Sequence, residues 1–442
     1  MAFLFSPITA PGVSITIWSL VGFARFLEQK ITRWKRQKFG FPRQLAGIIR
    51  LHAKRRAHHI RISDPQKPLI LQKEVAIILP AHNEELVIVR TLKSLKELVG
   101  KSQIYVASDG SSDKTAKLAK KEGCHVLEIF PNKGKAGAIK ETIKHFKLAE
   151  KYQLIMFADA DTAFDKNYLK VALPYFNDPK VAAFTGYGQT QWKKHLLPNS
   201  KMFFIAYRDR LYRILQFAIR YGQTWKYTNV SYIIPGFASI YRSSVLEKLK
   251  IAPQGLVIED FNLTFDLRKK KLGLAVYDPK AIATAQDPDN FSDYFKQTMR
   301  WSVGFWQTVF RQGIWLSFFW TFLLIFVIEV GLNSLFFLSI PILALLIAAQ
   351  SATTFVYPYI INLGKAVAGI YGIQDLLFGF FILDYVATVA TAIWARRPLL
   401  LIYGLGFIFL RFVDAVIFFY SIQKALTIKS RGAWAPATRR QT

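Results

Sequence analysis

One cysteine, Cys124, and four methionines are all the sulfur the sequence carries. A lone thiol can form no intrachain disulfide, which excludes a disulfide-stapled secreted scaffold. Acidic residues are scarce too: 29 Asp and Glu stand against 59 Lys and Arg, a net charge of +30. Such an excess of base belongs either to a nucleic-acid binder or to a protein that meets membranes. No recognisable nucleic-acid-binding motif is present, so no nucleic-acid partner is expected. A Walker Gly-Lys-Ser/Thr ending is also missing, which sets aside a P-loop ATPase. The first apolar run, Phe3–Leu27, has no positive charge ahead of it; Arg25, Lys30, Arg33, Lys35 and Arg36 come at and after its end. A cleaved signal peptide would carry them first.

What is present is segregated along the chain. Lys and Arg dominate Arg25–Lys73, long apolar runs fill Ile314–Ile422, and Val75–Trp301 between them has the mixed composition of a water-soluble unit. The expected organisation is an uncleaved membrane anchor over residues 1–28 and a basic linker on the inner membrane surface over 29–72. A folded cytoplasmic unit over 73–312, a transmembrane region over 313–422 and a basic cytoplasmic tail over 423–442 complete it. At about 20 residues per crossing, the apolar block divides into Ile314–Val330, Leu335–Gln350, Ala366–Trp394 and Leu399–Ile422. With the anchor, that count puts Arg396 and Arg397 outside, against the usual inward bias of positive charge. Glu329, Asp375, Asp384, Arg411 and Asp414 are costly in lipid and should face neighbours or a polar conduit, Arg411 and Asp414 neutralising each other at i, i+3.

From Val75 onward, short apolar strands alternate with amphipathic helices. Val75–Pro80, Ile104–Ser108, Val126–Phe130 and Leu154–Ala158 read as strands; Leu86–Leu98, Thr115–Lys121 and Lys135–Tyr152 read as the helices between them. That alternation predicts an α/β fold with a largely parallel sheet, whose ligands sit beyond the carboxyl ends of the strands. Polar clusters fall at those ends: His82-Asn83-Glu84, Asp109-Gly110-Ser111 and Asp159-Ala160-Asp161. One cluster would be an ordinary turn. Three mark a site.

Asp159 and Asp161 are hard oxygen ligands at the end of a buried strand, suited to Mg²⁺ or Mn²⁺ shared with substrate phosphates. Asn132–Ala138 combines glycines with Lys135 at a helix start, where a phosphate or a plain helix cap would both fit. Glu259-Asp260 precedes the amphipathic helix Phe261–Lys270; the pair either caps that helix or supplies a general base. Gln297, Arg300 and Trp301 share one helix face, where a guanidinium, an amide and an indole could hold a diphosphate and a sugar ring. A Trp at a membrane boundary reads equally well there.

In this order, Pro80-Ala81-His82-Asn83-Glu84, Ser108–Asp113, Lys135–Ala138, Asp159-Ala160-Asp161, Glu259-Asp260 and Gln297-Thr298-Met299-Arg300-Trp301 resemble the processive family 2 glycosyltransferases. That group makes poly-N-acetylglucosamine, chitin oligosaccharides, hyaluronan and cellulose. Ala81 replaces a frequent Thr or Cys, and Val257-Ile258 stands where many relatives have Thr or Ser before the Glu.

The resemblance implies a GT-A-type, Rossmann-like cytoplasmic domain between N-terminal and C-terminal transmembrane helices. It further implies an inverting transfer of a sugar, N-acetylglucosamine by nearness to that group, from a UDP-sugar to the end of a growing β-linked polysaccharide at the lipid bilayer, with an accessory membrane subunit left open. Glu84, Asp109, Lys135 and Asp159 would bind the donor, and Asp161 with Asp159 the metal. Asp260, beside Glu259, would be the base. Gln297, Arg300 and Trp301 would hold the diphosphate and acceptor, with Phe237, Tyr241 and Arg242 facing the acceptor. The rival readings are a non-processive transferase adding one sugar to a lipid or short acceptor, and a non-enzymatic basic membrane scaffold.

Overall fold

The computed structural model describes residues 12–39, 69–192, 198–253, 255–349, 358–370 and 381–428. Most of the expected basic linker (40–68), the end of the basic tail (429–442) and Asp375 lie outside the described residues.

In chain order the elements are α1 (Val13–Phe39), β1 (Val75–Ala81), α2 (Ile88–Lys96), β2 (Ile104–Asp109), α3 (Thr115–Lys121), β3 (His125–Ile129) and α4 (Gly134–Phe146). Then come β4 (Leu154–Ala158), β5 (Ala163–Phe164), β6 (Val181–Thr190), α5 (Ser200–Arg213), β7 (Ala238–Arg242), α6 (Glu259–Lys269), β8 (Leu274–Ala285) and α7 (Phe291–Gln312). The apolar end of the chain forms α8 (Phe318–Ala349), α9 (Pro358–Ile370), α10 (Leu383–Ala395), α11 (Leu399–Gly404) and α12 (Phe407–Thr427).

Every residue of β1, β2 and β4 is buried. Strands apolar on both faces belong inside a sheet covered by helices on each side. One face carries Ile77, Leu79 and Met156 against Leu92 and Leu95 of α2. The other carries Ile78, Ile155 and Phe157 against Ile139 of α4 and Leu263 and Leu267 of α6. Each such side chain taken fully out of water contributes about 1.5–3 kcal/mol. The eight strands lie in the order β3-β2-β1-β4-β7-β6-β8-β5.

The expected parallel pairing holds from β3 to β4 and is interrupted there by β7, resuming between β6 and β8. β7 runs antiparallel to both β4 and β6, so the complete sheet is mixed. Its register sets Ala238 against Ala158 and Arg242 against Leu154. The chain therefore enters β7 at the end where β4 delivers Asp159, and leaves it at the opposite end.

The apolar helices depart from the expected spans. Ile314–Val330 and Leu335–Gln350 are not separated: α8 runs unbroken through both, with Pro341 inside it. Among the described residues it is the one helix long and apolar enough to cross a membrane. Of Ala366–Trp394, the described residues form the end of α9 and most of α10, and 371–380 lie outside them; Leu399–Ile422 divides into α11 and α12.

Arg397 does not point away from the folded unit: its Nη1 lies 2.7 Å from Asp209 Oδ2 on α5. The charge conflict in the crossing count came from treating the turn after α10 as distant from the sheet domain, when the two are joined. Nor do Arg411 and Asp414 pair. Arg411 Nε is 3.6 Å from Asp384 Oδ1, while Asp414 accepts from the hydroxyls of Tyr207 and Tyr294.

Helix α1 links the two kinds of structure. Trp18 packs on Phe322 of α8 with ring centroids 4.8 Å apart, and Ser14 N donates to Glu329 Oε2 at 2.9 Å. Further along, buried Arg25 donates to the carbonyls of Tyr221 (2.6 Å) and Tyr277 (3.0 Å). A guanidinium buried this deeply needs such acceptors, so α1 is fixed to β8.

Candidate active site

The loops after β1 and β2 are stitched together. Asn83 takes a left-handed turn, φ 55°, and its Oδ1 accepts from Ser112 N at 2.9 Å. Glu84 N donates to Thr115 Oγ1 (2.8 Å) and Glu85 N to Asp113 Oδ2 (3.0 Å). Short polar side chains satisfy the loop backbone here, which leaves Glu84 fully buried at the strand end.

Asp109, also fully buried, ends β2. Its Oδ1 accepts from Lys133 N at 2.8 Å, and its Oδ2 has no hydrogen-bond partner. Burial raises its carboxyl above the ordinary range, although the Lys133 and Gly134 amides and the His82 and Lys133 charges oppose that.

Lys135, on the first turn of α4, reaches across the carboxyl end of the sheet. Its Nζ is 2.8 Å from Asp159 Oδ1 and 3.0 Å from Glu259 Oε1. Burial alone would lower this ammonium's pKa, but Asp159, Glu259 and Asp260 together hold it well above the usual lysine value. The Glu259-Asp260 pair forms the first turn of α6, with no side-chain cap there, and faces the site. Asp260 Oδ2 accepts from Gly236 N at 2.8 Å. A Cβ at Gly236 would lie 2.2 Å from Asp260 Oδ1 and 3.2 Å from Glu259 Oε1, so only glycine fits there. Burial, then the Glu259 charge, push the Asp260 carboxyl well above the carboxylate range; Lys135 and the Gly236 amide pull it back only in part.

Helix α7 lies beside this pair. A Cβ at Gly304 would meet Ile258 Cβ at 2.9 Å, and Gln307 Oε1 accepts from Val257 N at 2.9 Å. Trp301 is one helical turn before Gly304, so the Gln297–Trp301 face stands next to Glu259-Asp260. Gln297 Oε1 accepts from Arg208 Nη2 at 2.6 Å. Arg300 is half-buried, and among the described residues it has neither a hydrogen bond nor an ion pair.

Asp161 is half-buried and accepts from Thr162 Oγ1 at 3.3 Å. Its charge reaches Asp287, just past β8: burial pushes the Asp287 carboxyl up to about 7, against Arg208 and the Gln191 amide, and Asp161 and Asp209 add to the rise. Among the described residues no group of three or more acidic, His or Cys side chains is arranged to hold a metal. Asp159 is committed to Lys135. Asp161 beside a second carboxylate is nonetheless the donor set a Mg²⁺ or Mn²⁺ ion needs when phosphates supply its remaining oxygens.

Of the expected residues on β7, Tyr241 is buried and Arg242 is placed elsewhere. Tyr241 is buried within the core against Phe157, ring centroids 5.4 Å apart. Arg242 sits at the far end of β7 and donates to the carbonyls of Val181 (2.7 Å) and Asp178 (2.9 Å). The strand direction carries Arg242 away from the site, while the buried Tyr241 hydroxyl stays within electrostatic reach of Asp260, Glu259 and Lys135. Phe237, at the near end, stays with it: its carbonyl accepts from Asp159 N at 3.3 Å. Arg208 and Asp287 were missed in the sequence. Asp287 closes a strand just as Asp109 and Asp159 do, and that rule would have found it.

A family profile, glycosyltransferase like family 2, matches residues 72–304, more than half the chain. The poly-beta-1,6-N-acetyl-D-glucosamine synthase of Staphylococcus aureus (strain COL) is 27% identical over 261 residues, 57% of this chain and 60% of that one. The probable glycosyltransferase YdaM of Bacillus subtilis (strain 168) is 29% identical over 245 residues, 52% of this chain and 55% of its own length. The chain thus spans somewhat over half of these curated relatives. Among solved structures, mannosyltransferase PcManGT from Pyrobaculum calidifontis, in complex with GDP-Man and Mn²⁺, covers 90% of this chain and 99% of its own at 16% identity and a TM-score of 0.45. The profile match over the α/β unit makes the scaffold reading untenable. The chain belongs to glycosyltransferase family 2, has its α/β GT-A-like fold, and is a glycosyltransferase.

Proposed function

We propose that this enzyme transfers N-acetylglucosamine from a UDP-sugar, with inversion, to the end of a growing β-linked polysaccharide at the cytoplasmic face of the cell membrane. The observation that carries the reading is the convergence of Lys135, Glu259 and Asp260, from distant parts of the sequence, beside the Gln297–Trp301 face. The names of the Staphylococcus relatives support the choice of sugar. Long apolar α8 and the α1–α8 packing support a multi-pass membrane setting.

In this scheme Glu84, Asp109 and Asp159 line the donor pocket, with Lys135 beside the diphosphate. A Mg²⁺ or Mn²⁺ ion held by Asp161 and the phosphate oxygens would neutralise charge on the departing UDP. Arg300, unpaired, adds a second cation for that diphosphate. Asp260 accepts the proton of the acceptor hydroxyl as its oxygen attacks the anomeric carbon from the face opposite the breaking bond to UDP. Burial and Glu259 oppose the ionised base form of Asp260, and Lys135 and the Gly236 amide favour it. Trp301 offers an aromatic face to the acceptor ring.

The test is UDP release by the purified full chain from single UDP-sugars with Mg²⁺ or Mn²⁺, together with product size. UDP-N-acetylglucosamine should give long products, and Asp161→Ala should cost on the order of 10²–10³ in turnover. Release that survives Asp161→Ala would remove the metal assignment. Products one sugar longer than the acceptor would favour the non-processive reading.

A further inference from the structure

Arg208, near the middle of α5, is 1% exposed. Its Nη2 donates to Gln297 Oε1 at 2.6 Å and Thr298 Oγ1 at 3.4 Å. The guanidinium carbon lies 4.6 Å from the centroid of the Trp301 ring and 5.0 Å from that of Tyr294. Its Nε is buried with no hydrogen-bond partner, and among the described residues no carboxylate forms an ion pair with it. Asp287 and Asp414 act on it only from beyond ion-pair distance, so aromatic faces and hydrogen bonds must supply the rest of its compensation. An apolar side chain would fill the same volume at less cost, so packing does not account for this residue.

Its contacts do. Arginine has donors only, so Gln297 must turn its carbonyl oxygen toward Arg208. The amide NH₂ then points the other way, and among the described residues it has no partner. The same guanidinium packs on Trp301, four residues along the same helix face, and holds that indole in one orientation. We propose that Arg208 is a positioning residue for the acceptor: it presents the Gln297 NH₂ as a donor to an acceptor hydroxyl and fixes Trp301 as the platform for the sugar ring. This rests on the reading that Gln297 and Trp301 hold the acceptor. Arg208 touches neither the donor nor the reacting atoms.

The experiment measures KM for donor and acceptor separately, using UDP-N-acetylglucosamine and a β-linked N-acetylglucosamine oligosaccharide with the full chain in detergent. Arg208→Met should raise the acceptor KM about tenfold, the value of one lost oriented hydrogen bond, and leave the donor KM within about twofold. Arg208→Lys keeps the charge but lacks the planar fork, so it should restore little of this. Gln297→Glu keeps a partner for Arg208, and so the fold, but loses the NH₂ donor; it should raise the acceptor KM as Arg208→Met does. If Arg208→Met does not fold, Arg208→Lys and Gln297→Glu carry the same comparison. Acceptor KM values equal to wild type in these variants would overturn the Arg208 assignment alone. A wild-type chain that extends no saccharide would overturn both this assignment and the reading beneath it.

Discussion

The parallel half of the sheet and the helical side of the site are held together by different means. Between His82 and Thr115 the contacts are backbone to short side chain: Ser112 N to Asn83, Glu84 N to Thr115, Glu85 N to Asp113. On the helical side, α5 carries four successive buried residues, each tied to a different element. Tyr207 donates to Asp414 on α12 and Arg208 to Gln297 on α7. Asp209 pairs with Arg397 after α10, and Arg210 with Asp384 within α10. The first half is built from short hydrogen bonds between the loops of two neighbouring strands. The second is a set of buried charges that exists only once distant helices have met. The difference teaches that the proposed donor pocket belongs to the sheet, whereas the proposed acceptor face depends on the apolar helices being in place.

Removing one partner from each half sharpens the contrast. Asp209 is fully buried and takes Arg397 at 2.7 Å, Arg213 at 3.0 Å and the Thr190 hydroxyl at 2.8 Å. Asp209→Ala strands two guanidinium groups and should cost about 3–5 kcal/mol, seen as a large fall in the unfolding midpoint of the full chain. Thr115→Val removes only the acceptor for Glu84 N–H, a loss of about 1–3 kcal/mol by the same measurement. Equal effects would show that the two halves are not differently built.

A smaller effect concerns pH. Asp260 holds its proton above the ordinary carboxylate range because it is buried and beside Glu259. The base form therefore appears only as pH rises, and kcat/KM should climb through a limb above that range. Glu259→Gln removes the like charge and leaves Lys135 closer to uncompensated, so both changes favour ionised Asp260. The limb should move to lower pH. A limb that stays in place or moves upward would separate Asp260 from the observed titration.

Much of the parallel half was legible from sequence. Its strands are short, wholly apolar and bounded by polar clusters, so β1, β2 and β4 and the residues at their ends could be read locally. The helical side was not. β8 was hidden because Asp278, Pro279 and Lys280 interrupt its apolar pattern where its register against β6 shifts between Gly186 and Tyr187. With β8 unseen, Asp287 had no strand to end. Arg208 lies 89 residues from Gln297, and on an amphipathic helix near a membrane it resembles any interfacial charge. Arg242 was misplaced because periodicity locates a strand but does not give its direction. The apolar block was divided at the wrong place for a related reason: length alone did not show that Ile314–Val330 and Leu335–Gln350 run on as the single helix α8.

The most direct test of the account is Asp260→Asn in the full chain, with UDP-sugar binding and sugar transfer measured on the same preparation. The substitution keeps the shape beside Gly236 and removes only the ability to take a proton. Donor affinity should stay within a fewfold of wild type, while transfer falls by about 10²–10⁴. Transfer at the wild-type rate would show that the carboxylate at the head of α6 is not the base, and the convergence of Lys135, Glu259 and Asp260 would need another explanation.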